Sequence, residues 1–220
     1  MQSIVFKDSK DVINAIFSAI NLKDIPLQNA VLVNIAQDGL EYAQALASEL
    51  EVPMEVLFTQ TISAPLNPEC SIAAVSESMD IVMNDELVRA FSISLEYVYG
   101  EAQRQYDEAI LPTIYRLRKG REHKSLENKD VLLFDIGIET GFRINVAIKT
   151  CVNMGARSLY VISPIMPKNI YQQLCDICDE VCCPYPIDNY VSTSHYYPNL
   201  SPLSDTMFKN ILNTNTTKDT

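Results

Sequence analysis

The chain has 220 residues, and 47% of them are hydrophobic, which is enough apolar material for one domain with a packed core. Its 28 acidic residues outnumber its 17 basic residues, so the net charge is −11. That charge argues against a nucleic acid partner, which needs a basic surface, and against a membrane surface. No apolar run is long enough to span a membrane, and Met1–Asp11 lacks the apolar core of a signal peptide. We therefore expect a cytoplasmic protein.

The N-terminal part of the sequence predicts alternating helices and strands. Apolar residues of Ser9–Ile20 recur at helical spacing, so this segment should pack one face on a sheet. Ala30–Ile35 is an apolar run of strand length, and Leu40–Leu50 is the helix predicted after it. Pro53 precedes a further predicted strand, Met54–Phe58. This alternation is typical of an α/β protein.

The middle of the chain predicts a less regular region. Thr59–Pro68 contains two prolines and is predicted to be irregular, and Ile72–Val75 is predicted as a strand of a small hood. Phe91–Lys124 predicts one long helix or two, with Pro112 bending or restarting it. We therefore expect a hood or lid insertion and a long helix over about residues 59–125 of a single domain, 1–220.

The most informative stretch is the strand, loop, helix and strand unit over residues 129–163. Val131–Phe134 is an unbroken apolar run, which indicates a strand covered on both faces of a parallel sheet. Phe142–Met154 predicts a helix, and Gly155 is placed to end it. Leu159–Ile162 predicts the next strand. The loop between the first strand and the helix lies at the carboxyl end of the strand, where parallel sheets bind ligands.

That loop, Asp135–Gly141, carries chemistry of its own. Thr140, Gly141 and the first amides of the helix can hold a phosphate through N–H donors and the helix dipole. Asp135 and Glu139 bracket the loop with carboxylates, which can contact ribose hydroxyls, hold a magnesium ion or take a proton. The alternative is an ordinary turn between strand and helix, with Thr140 as a cap.

The loop resembles the phosphoribosyl pyrophosphate loop of the type I phosphoribosyltransferases. Asp135 matches the first of two acidic positions, and Thr140 and Gly141 match the pair that cradles the phosphate. Glu139 falls where some purine-salvage members carry a carboxylate base. The chain departs from the pattern in three places, which are Ile136 at the second acidic position, and Phe142 and Arg143 where small and hydroxyl residues are usual. Arg143 offers a charged fork that could pair with a phosphate.

The resemblance extends upstream of the loop. Asn29–Leu50 is similar to the family segment in which a strand ends in a Gly-Gly turn whose amides bind pyrophosphate, but here Asp38 replaces the first glycine and Gly39 remains. An acidic side chain beside a pyrophosphate is unfavourable unless a metal lies between them. Leu66–Glu77 resembles a stretch of a subgroup of predicted bacterial phosphoribosyltransferases, with Ala73 where glycine is usual.

The resemblance implies a type I phosphoribosyltransferase-like α/β fold, with a mainly parallel twisted sheet flanked by helices and a small hood or lid. It implies a small phosphoribosyl ligand, phosphoribosyl pyrophosphate or a nucleotide, and transfer of the phosphoribosyl group to a nitrogenous base with release of pyrophosphate. It assigns catalysis to Asp135 and Glu139, and magnesium to Asp135. It assigns ligand binding to seven residues, which are Asp38, Gly39, Gly137, Thr140, Gly141, Phe142 and Arg143.

The altered motifs keep a second class of function open. A protein with this fold could bind a ligand, or act as an interaction or regulatory module, without turnover. Ile136 cannot bind a ribose hydroxyl, and Asp38 opposes pyrophosphate, so we expect weak transferase activity or none. Assembly as a homodimer is a further possibility that the family resemblance leaves open.

Three features of the second half of the chain have two interpretations each. The basic run Tyr115–Lys124 is either an electropositive rim that attracts phosphate or the solvated end of a helix. Tyr196 and Tyr197 either stack on a ligand ring or cover the core from a loop. The third feature is a set of cysteines, either a thiolate metal site or, as we favour, reduced residues that pack as small apolar groups; they are Cys175, Cys178, Cys182 and Cys183.

The C-terminal elements are predicted from short patterns. Tyr171–Asp179 predicts a helix, and Val181–Cys183 predicts a short buried strand. Ser204 or Asp205 should cap a final helix that ends at Leu212, and the polar residues 213–220 should fray. The final unit is thus a C-terminal helix and tail over residues 205–220.

Overall fold

A computed structural model describes residues 4–19, 27–35, 37–200 and 204–216. The central element is a sheet of five strands that are all parallel, and they are β1 (Ala30–Asn34), β2 (Met54–Val56), β6 (Asp130–Phe134), β7 (Ser158–Ile162) and β9 (Glu180–Cys182). Their order across the sheet is β2-β1-β6-β7-β9. The three predicted core strands are therefore confirmed, and they lie side by side in the middle of this sheet.

Both faces of the sheet are covered, as the unbroken apolar runs predict. Every residue of β1 and of β6 is buried. Successive residues point to opposite faces, so Leu132 and Phe134 enter one hydrophobic cluster while Val131 and Leu133 enter another. A strand that is buried on both faces cannot alternate with polar residues, and this explains the sequence pattern.

Helices flank the sheet and form part of the hood, and all but α3 and α8 overlap helices that the sequence predicts. They are α1 (Ser9–Ala19), α2 (Leu40–Glu49), α3 (Asp85–Ala90), α4 (Leu95–Gln105), α5 (Leu111–Arg118), α6 (Phe142–Asn153), α7 (Lys168–Cys175), α8 (Thr193–Tyr196) and α9 (Asp205–Thr216). Helix α1 matches its prediction up to Ala19, and Ile20 lies outside the described residues. Helix α6 ends one residue before Met154, which caps it, and Gly155 follows with a φ of +80°.

The prediction that Thr59–Pro68 is irregular is wrong. The hood is a three-stranded antiparallel sheet of β3 (Thr59–Ala64), β4 (Asn67–Ser76) and β5 (Ile81–Met83). Pro65 lies in the turn between β3 and β4, and Pro68 lies at the outer end of β4 beside a register shift at Ser63. Proline at a strand end or a bulge removes no ladder hydrogen bond, so the two prolines shape this hairpin instead of preventing it.

The long helical segment of the hood is interrupted, and it ends earlier than predicted. Helix α4 continues through a π-helical turn, Tyr106–Ile110, into α5, where Pro112 occupies the first turn. The restart at Pro112 is therefore confirmed. Helix α5 ends at Arg118 and not at Lys124, because Lys119 and Gly120 adopt left-handed conformations with φ of +56° and +76°.

The C-terminal region differs from its prediction in length. Helix α7 ends at Cys175, so Cys178 lies beyond it and not on its face. Helix α9 continues to Thr216, past the predicted end at Leu212, and the last predicted tail residues lie outside the described residues. Two further short strands, β8 (Ile165–Pro167) and β10 (Tyr185–Ile187), pair in parallel as a separate two-stranded sheet.

The C-terminal tyrosines pack in the core, and of the four cysteines Cys182 is buried, Cys178 and Cys183 are half-buried and Cys175 is exposed. Tyr196 and Tyr197 are buried, and the Tyr197 ring stacks on Phe6 at a centroid distance of 5.0 Å. The described cysteines are all free thiols, and burial raises the pKa of the Cys178, Cys182 and Cys183 thiols to about 12. A thiol with so high a pKa is a poor metal ligand and a poor nucleophile.

Candidate ligand-binding site

A cavity of about 450 Å³ opens at the carboxyl edge of the central sheet. Ile35 lies directly after β1 and Asp135 directly after β6, and both line it. The segment from Val56 to Thr61 and part of β4 form the opposite wall, with residues from the start of α5. The cavity therefore lies between the parallel sheet and the hood, where ligands of open α/β sheets bind.

The loop predicted to bind phosphate forms one wall of this cavity. Gly141 precedes helix α6 with a φ of +79°, and its carbonyl accepts a 2.9 Å hydrogen bond from the Asn145 amide. Thr140 is exposed, and Arg143 exposes 41% of its side chain. The first-turn amides of a helix have no partners within the helix, so a phosphate at this edge would find N–H donors, a hydroxyl and a guanidinium.

Asp135 is a buried carboxylate, 2% exposed, at the base of the loop. Its Oδ1 accepts a 3.1 Å hydrogen bond from the Gly137 amide, and its Oδ2 lies 4.0 Å from Nη2 of Arg143. Burial raises the pKa of Asp135, and the charge of Arg143 opposes that shift. Oδ1 therefore has a hydrogen-bond partner in the protein, whereas Oδ2 has only the more distant charge of Arg143.

The donor set around Asp135 does not fit a resident magnesium ion. Magnesium binds through carboxylate oxygens in an open octahedral arrangement that retains several waters. Asp135 is buried, its Oδ1 already accepts from the Gly137 amide, and Ile136 supplies no second carboxylate. Within the described part of the chain, no cluster of three His, Cys, Asp or Glu side chains is suited to a metal. The function proposed below accordingly uses no step through magnesium.

Ile136 faces the core, so the second acidic position is lost to packing. Its side chain is 2% exposed, and its Cγ2 lies 3.0 Å from the place that a Cβ on Gly39 would take. Its carbonyl oxygen accepts a 2.7 Å hydrogen bond from the Tyr197 hydroxyl. Gly39 is thus required by the close approach of Ile136, which gives this glycine a packing role.

The C-terminal segment holds the loop in place through Thr193. Its amide donates to Oε1 of Glu139 at 2.7 Å, and its hydroxyl donates to the Gly137 carbonyl at 3.1 Å. The Tyr190 hydroxyl lies 2.9 Å from the same threonine hydroxyl. Gly137 has no room for a side chain, since a Cβ there would lie 2.7 Å from Thr193. Glu139 is therefore directed toward the C-terminal segment and does not pair with Arg143.

The structure brings most of the predicted site residues together. Six of the nine line the cavity, and they are Asp38, Asp135, Glu139, Thr140, Gly141 and Arg143. The other three do not line it. Gly39 packs against Ile136, Gly137 packs against Thr193, and Phe142 is the first residue of α6. The binding and catalytic roles of all nine stay predictions.

Sequence reasoning missed the hood wall and the C-terminal tether. The hood wall is polar, and its members are Thr59, Gln60, Thr61, Glu69 and Ser71. A period-two pattern over β3 would have predicted the strand, but the two prolines concealed it. Thr193 lies 54 residues beyond Glu139 in sequence, and no local pattern marks it as a partner of the loop.

The basic run Tyr115–Lys124 does not line this cavity. Arg118 is buried and forms an ion pair with Glu77, and Lys124 pairs with Glu55 at 3.2 Å. Arg116 lies 3.5 Å from Asp205. Much of the positive charge of the run is therefore matched by carboxylates of the protein, and the interpretation as a phosphate-attracting rim of the candidate site is not supported.

Comparisons with known proteins agree with the motif resemblance. No family model matches the chain. A curated relative from Mycobacterium tuberculosis, named "Putative phosphoribosyl transferase", is 26% identical over 175 residues, which are 80% of this chain and 39% of the relative. The same values hold for its counterpart in strain H37Rv. The chain thus spans about two fifths of the length of the curated relatives that it matches.

Among solved structures, the protein TT1426 from Thermus thermophilus matches with a TM-score of 0.77 at 24% identity, covering 94% of this chain and 97% of that one. A hypoxanthine phosphoribosyltransferase from Staphylococcus aureus matches with a TM-score of 0.48 at 14% identity, covering 86% and 80%. The sheet topology and the likeness to TT1426 define an α/β fold with a parallel central sheet flanked by helices, and the chain is similar in sequence to curated proteins named as phosphoribosyl transferases. The α/β fold with a parallel sheet flanked by helices, which the sequence predicts, is confirmed, and the names of the curated relatives agree with the resemblance. None of the described helices is both long and apolar enough to cross a membrane.

Proposed function

We propose that the cavity binds a phosphoribosyl ligand, phosphoribosyl pyrophosphate or a nucleotide, with its 5′-phosphate at the loop Glu139–Arg143. The observation that carries this proposal is the meeting of the α6 N-terminus, Thr140 and Arg143 on one cavity wall at the carboxyl edge of the sheet. A twelve-residue helix gives that wall a dipole that favours an anion. The names of the curated relatives support the same ligand class.

The remaining residues of the loop have distinct proposed roles. Asp135 faces the cavity from the base of the loop and would accept a hydrogen bond from a ribose hydroxyl. Glu139 would take a proton from an incoming nitrogenous base, and its hydrogen bond to the Thr193 amide would hold it away from the phosphate. A base with this partner stays aimed at one place, which general base catalysis requires.

We propose that transfer of the phosphoribosyl group is weak or absent, and that ligand binding is the main activity. Ile136 is packed in the core and cannot reach a ribose. Loss of one charge-assisted hydrogen bond costs about 1.5–3 kcal/mol, which corresponds to roughly ten- to a hundred-fold in affinity. This observation favours the second candidate, a ligand-responsive interaction or regulatory module that retains the fold without turnover.

Isothermal titration calorimetry with ribose 5-phosphate and with phosphoribosyl pyrophosphate tests the proposal, followed by a pyrophosphate-release assay across nucleobases. We expect saturable binding of ribose 5-phosphate and little or no release. Glu139→Gln should abolish any residual release while leaving ribose 5-phosphate binding equal or tighter, because a repelling carboxylate is removed. Robust turnover with a common nucleobase would contradict the weak-transfer proposal, and absence of any phosphate ligand binding would contradict the site itself.

A further inference from the structure

We infer that, among the phosphate ligands that the proposed function allows, this cavity prefers a phosphate monoester that carries a positively charged amine at its other end over a pyrophosphate. The phosphate end of this inference rests on the proposed function. The amine end rests on the charge and the hydrogen-bonding groups of the cavity walls that lie away from the loop Glu139–Arg143.

The first observation is the balance of charge in the cavity. Four carboxylates line it, and the one guanidinium on the same lining is that of Arg143; the carboxylates are those of Asp38, Glu69, Asp135 and Glu139. The Arg143 guanidinium also lies 4.0 Å from the Asp135 carboxylate, so its charge is partly matched within the protein. Among the described residues, no basic side chain forms an ion pair with any of the other three. A ligand with one phosphate and one ammonium group would match both the cation and the surplus of carboxylates.

The second observation concerns the place where a pyrophosphate would lie. Asp38 follows β1, occupies the turn that the family resemblance assigns to pyrophosphate, and lines the cavity with an exposed side chain. Glu139 lines the same cavity from the loop. Without a metal ion carried in by the ligand, a pyrophosphate would bring several negative charges between these carboxylates. An ammonium group in that place would be attracted by the same side chains.

The third observation is the composition of the hood wall. Its polar part carries hydroxyl and amide side chains from Thr59, Gln60, Thr61 and Ser71, with another hydroxyl from Thr113 of α5, beside the apolar Val56, Leu57, Phe58, Ala109 and Ile110. The Thr59 hydroxyl is buried and has no hydrogen-bond partner among the described residues. Such a wall fits a ligand with hydroxyl and amine groups, since each can donate and accept hydrogen bonds.

The same wall offers little to an aromatic base. Phe58 is the aromatic residue that lines the cavity in the described structure, and it is 4% exposed. One face of its ring is covered by the Arg118 guanidinium, whose central carbon lies 4.9 Å from the ring centroid. Base recognition normally uses an accessible aromatic face for stacking. The hood wall therefore favours a polar aliphatic group over a purine or pyrimidine ring.

A matched pair of ligands tests the inference. Glucosamine 6-phosphate and glucose 6-phosphate differ in one group, an ammonium in place of a hydroxyl. Titration calorimetry with the full chain, at low salt and with a chelator present, should show glucosamine 6-phosphate binding about ten-fold more tightly, the effect expected of one charge-assisted contact. Raising the salt concentration should reduce the preference, because the contact is electrostatic and the cavity is open to solvent.

Matched variants locate the effect. Glu69→Gln keeps the shape of the side chain and removes its charge, so we expect the preference for the amine to fall to about three-fold or less. Glu49→Gln, at an exposed glutamate that ends α2 outside the cavity, should leave the preference unchanged. Asp38→Asn should increase the affinity for phosphoribosyl pyrophosphate, because it removes a charge from the turn after β1.

The possible outcomes separate this inference from the proposed function. Equal affinities for the two sugar phosphates would overturn the amine and leave the phosphate site intact. Tighter binding of phosphoribosyl pyrophosphate with magnesium than of glucosamine 6-phosphate would overturn the monoester and favour the usual ligand of the fold. If neither sugar phosphate nor inorganic phosphate binds, the proposed function fails and this inference fails with it.

Discussion

At the residue scale, Asp135 is an ionisable side chain that the fold buries. Burial raises its pKa above the ordinary value, and the neighbouring carboxylates Glu139 and Asp38 add to that shift, while Arg143 and the Gly137 amide oppose it. A carboxylate with a raised folded-state pKa costs stability once it ionises. A carboxylate that lowers stability at the base of a ligand cavity is typical of a side chain whose charge takes part in ligand binding.

The first prediction follows from that cost. When the pH is below the pKa that Asp135 has in the unfolded chain, its carboxyl is protonated in both the folded and the unfolded state. The carboxyl then does not lower the free energy of unfolding of the wild type. As the pH rises from there through the folded pKa, the unfolded state is ionised first and is favoured. Asp135→Asn should therefore have a higher urea midpoint than wild type at pH 7, with a difference that shrinks toward acidic pH. A constant difference across the pH range would contradict the raised pKa.

Arg118 and Glu77 form the buried ion pair that links α5 to the hood. Their side chains expose 6% and 5%, Arg118 Nη1 also donates to the Val56 carbonyl at 3.3 Å, and Glu77 Oε1 accepts from the Phe58 amide at 3.2 Å. Both backbone groups belong to the segment that lines the cavity. This pair therefore supports one cavity wall from behind.

The second prediction is that Arg118→Met destabilises the protein by about 3–5 kcal/mol, because it leaves the Glu77 carboxylate buried without a partner. Urea denaturation followed by circular dichroism measures the change. Arg104→Met, in an exposed ion pair of α4, is the control and should change the free energy of unfolding far less. The double variant Arg118→Met with Glu77→Gln should recover part of the loss, and strictly additive losses would contradict the pairing.

At the element scale, the strand, loop and helix of residues 130–153 organise the site. Gly141 joins the loop to α6 with a φ of +79°, and a Cβ there would lie 3.3 Å from Ile170 on α7. The left-handed conformation and the close approach both require glycine. The position of the helix N-terminus against the cavity therefore depends on this residue.

The third prediction compares two glycines. Gly141→Ala should destabilise the protein by about 1–2 kcal/mol, since an L-residue is strained in the left-handed region, and it should also weaken phosphate binding. Gly100→Ala lies in α4 with nothing within 4 Å of the new Cβ, and it should stabilise the protein by about 0.5–1 kcal/mol. Thermal unfolding of both variants measures the contrast, and an equal effect of the two would contradict the strain assigned to Gly141.

The elements that could be predicted from the sequence are those whose pattern is local. The apolar runs of β1 and β6 are buried on both faces, and such runs are typical of a parallel sheet. The hairpin of β3 and β4 was missed because Pro65 and Pro68 are breakers in most contexts, and only the register shift at Ser63 shows how this sheet accommodates them. Helix α7 was predicted at Tyr171–Asp179 but spans Lys168–Cys175, and the turn after Cys175 carries no glycine or proline that would have marked its end.

At the scale of the whole molecule, the loop wall of the site could be predicted from the sequence, but the hood wall and the contact that holds Glu139 could not. The loop at the carboxyl end of β6 follows from a local motif and from the general placement of ligands in parallel sheets. The opposite wall comes from the hood, and the tether of Glu139 comes from Thr193, far along the chain. These contacts depend on how distant segments pack, so only the assembled structure brings them to the loop.

Binding of a phosphate group by the loop Glu139–Arg143 is tested most directly by titration calorimetry with inorganic phosphate. We compare wild type with the double variant Thr140→Ala and Arg143→Ala. Arg121→Ala is the control, because this arginine belongs to the basic run that does not line the cavity. The account predicts saturable binding by wild type and by the control, and a loss of at least about ten-fold in affinity in the double variant. Equal and negligible binding in all three would mean that the loop is only a turn between strand and helix.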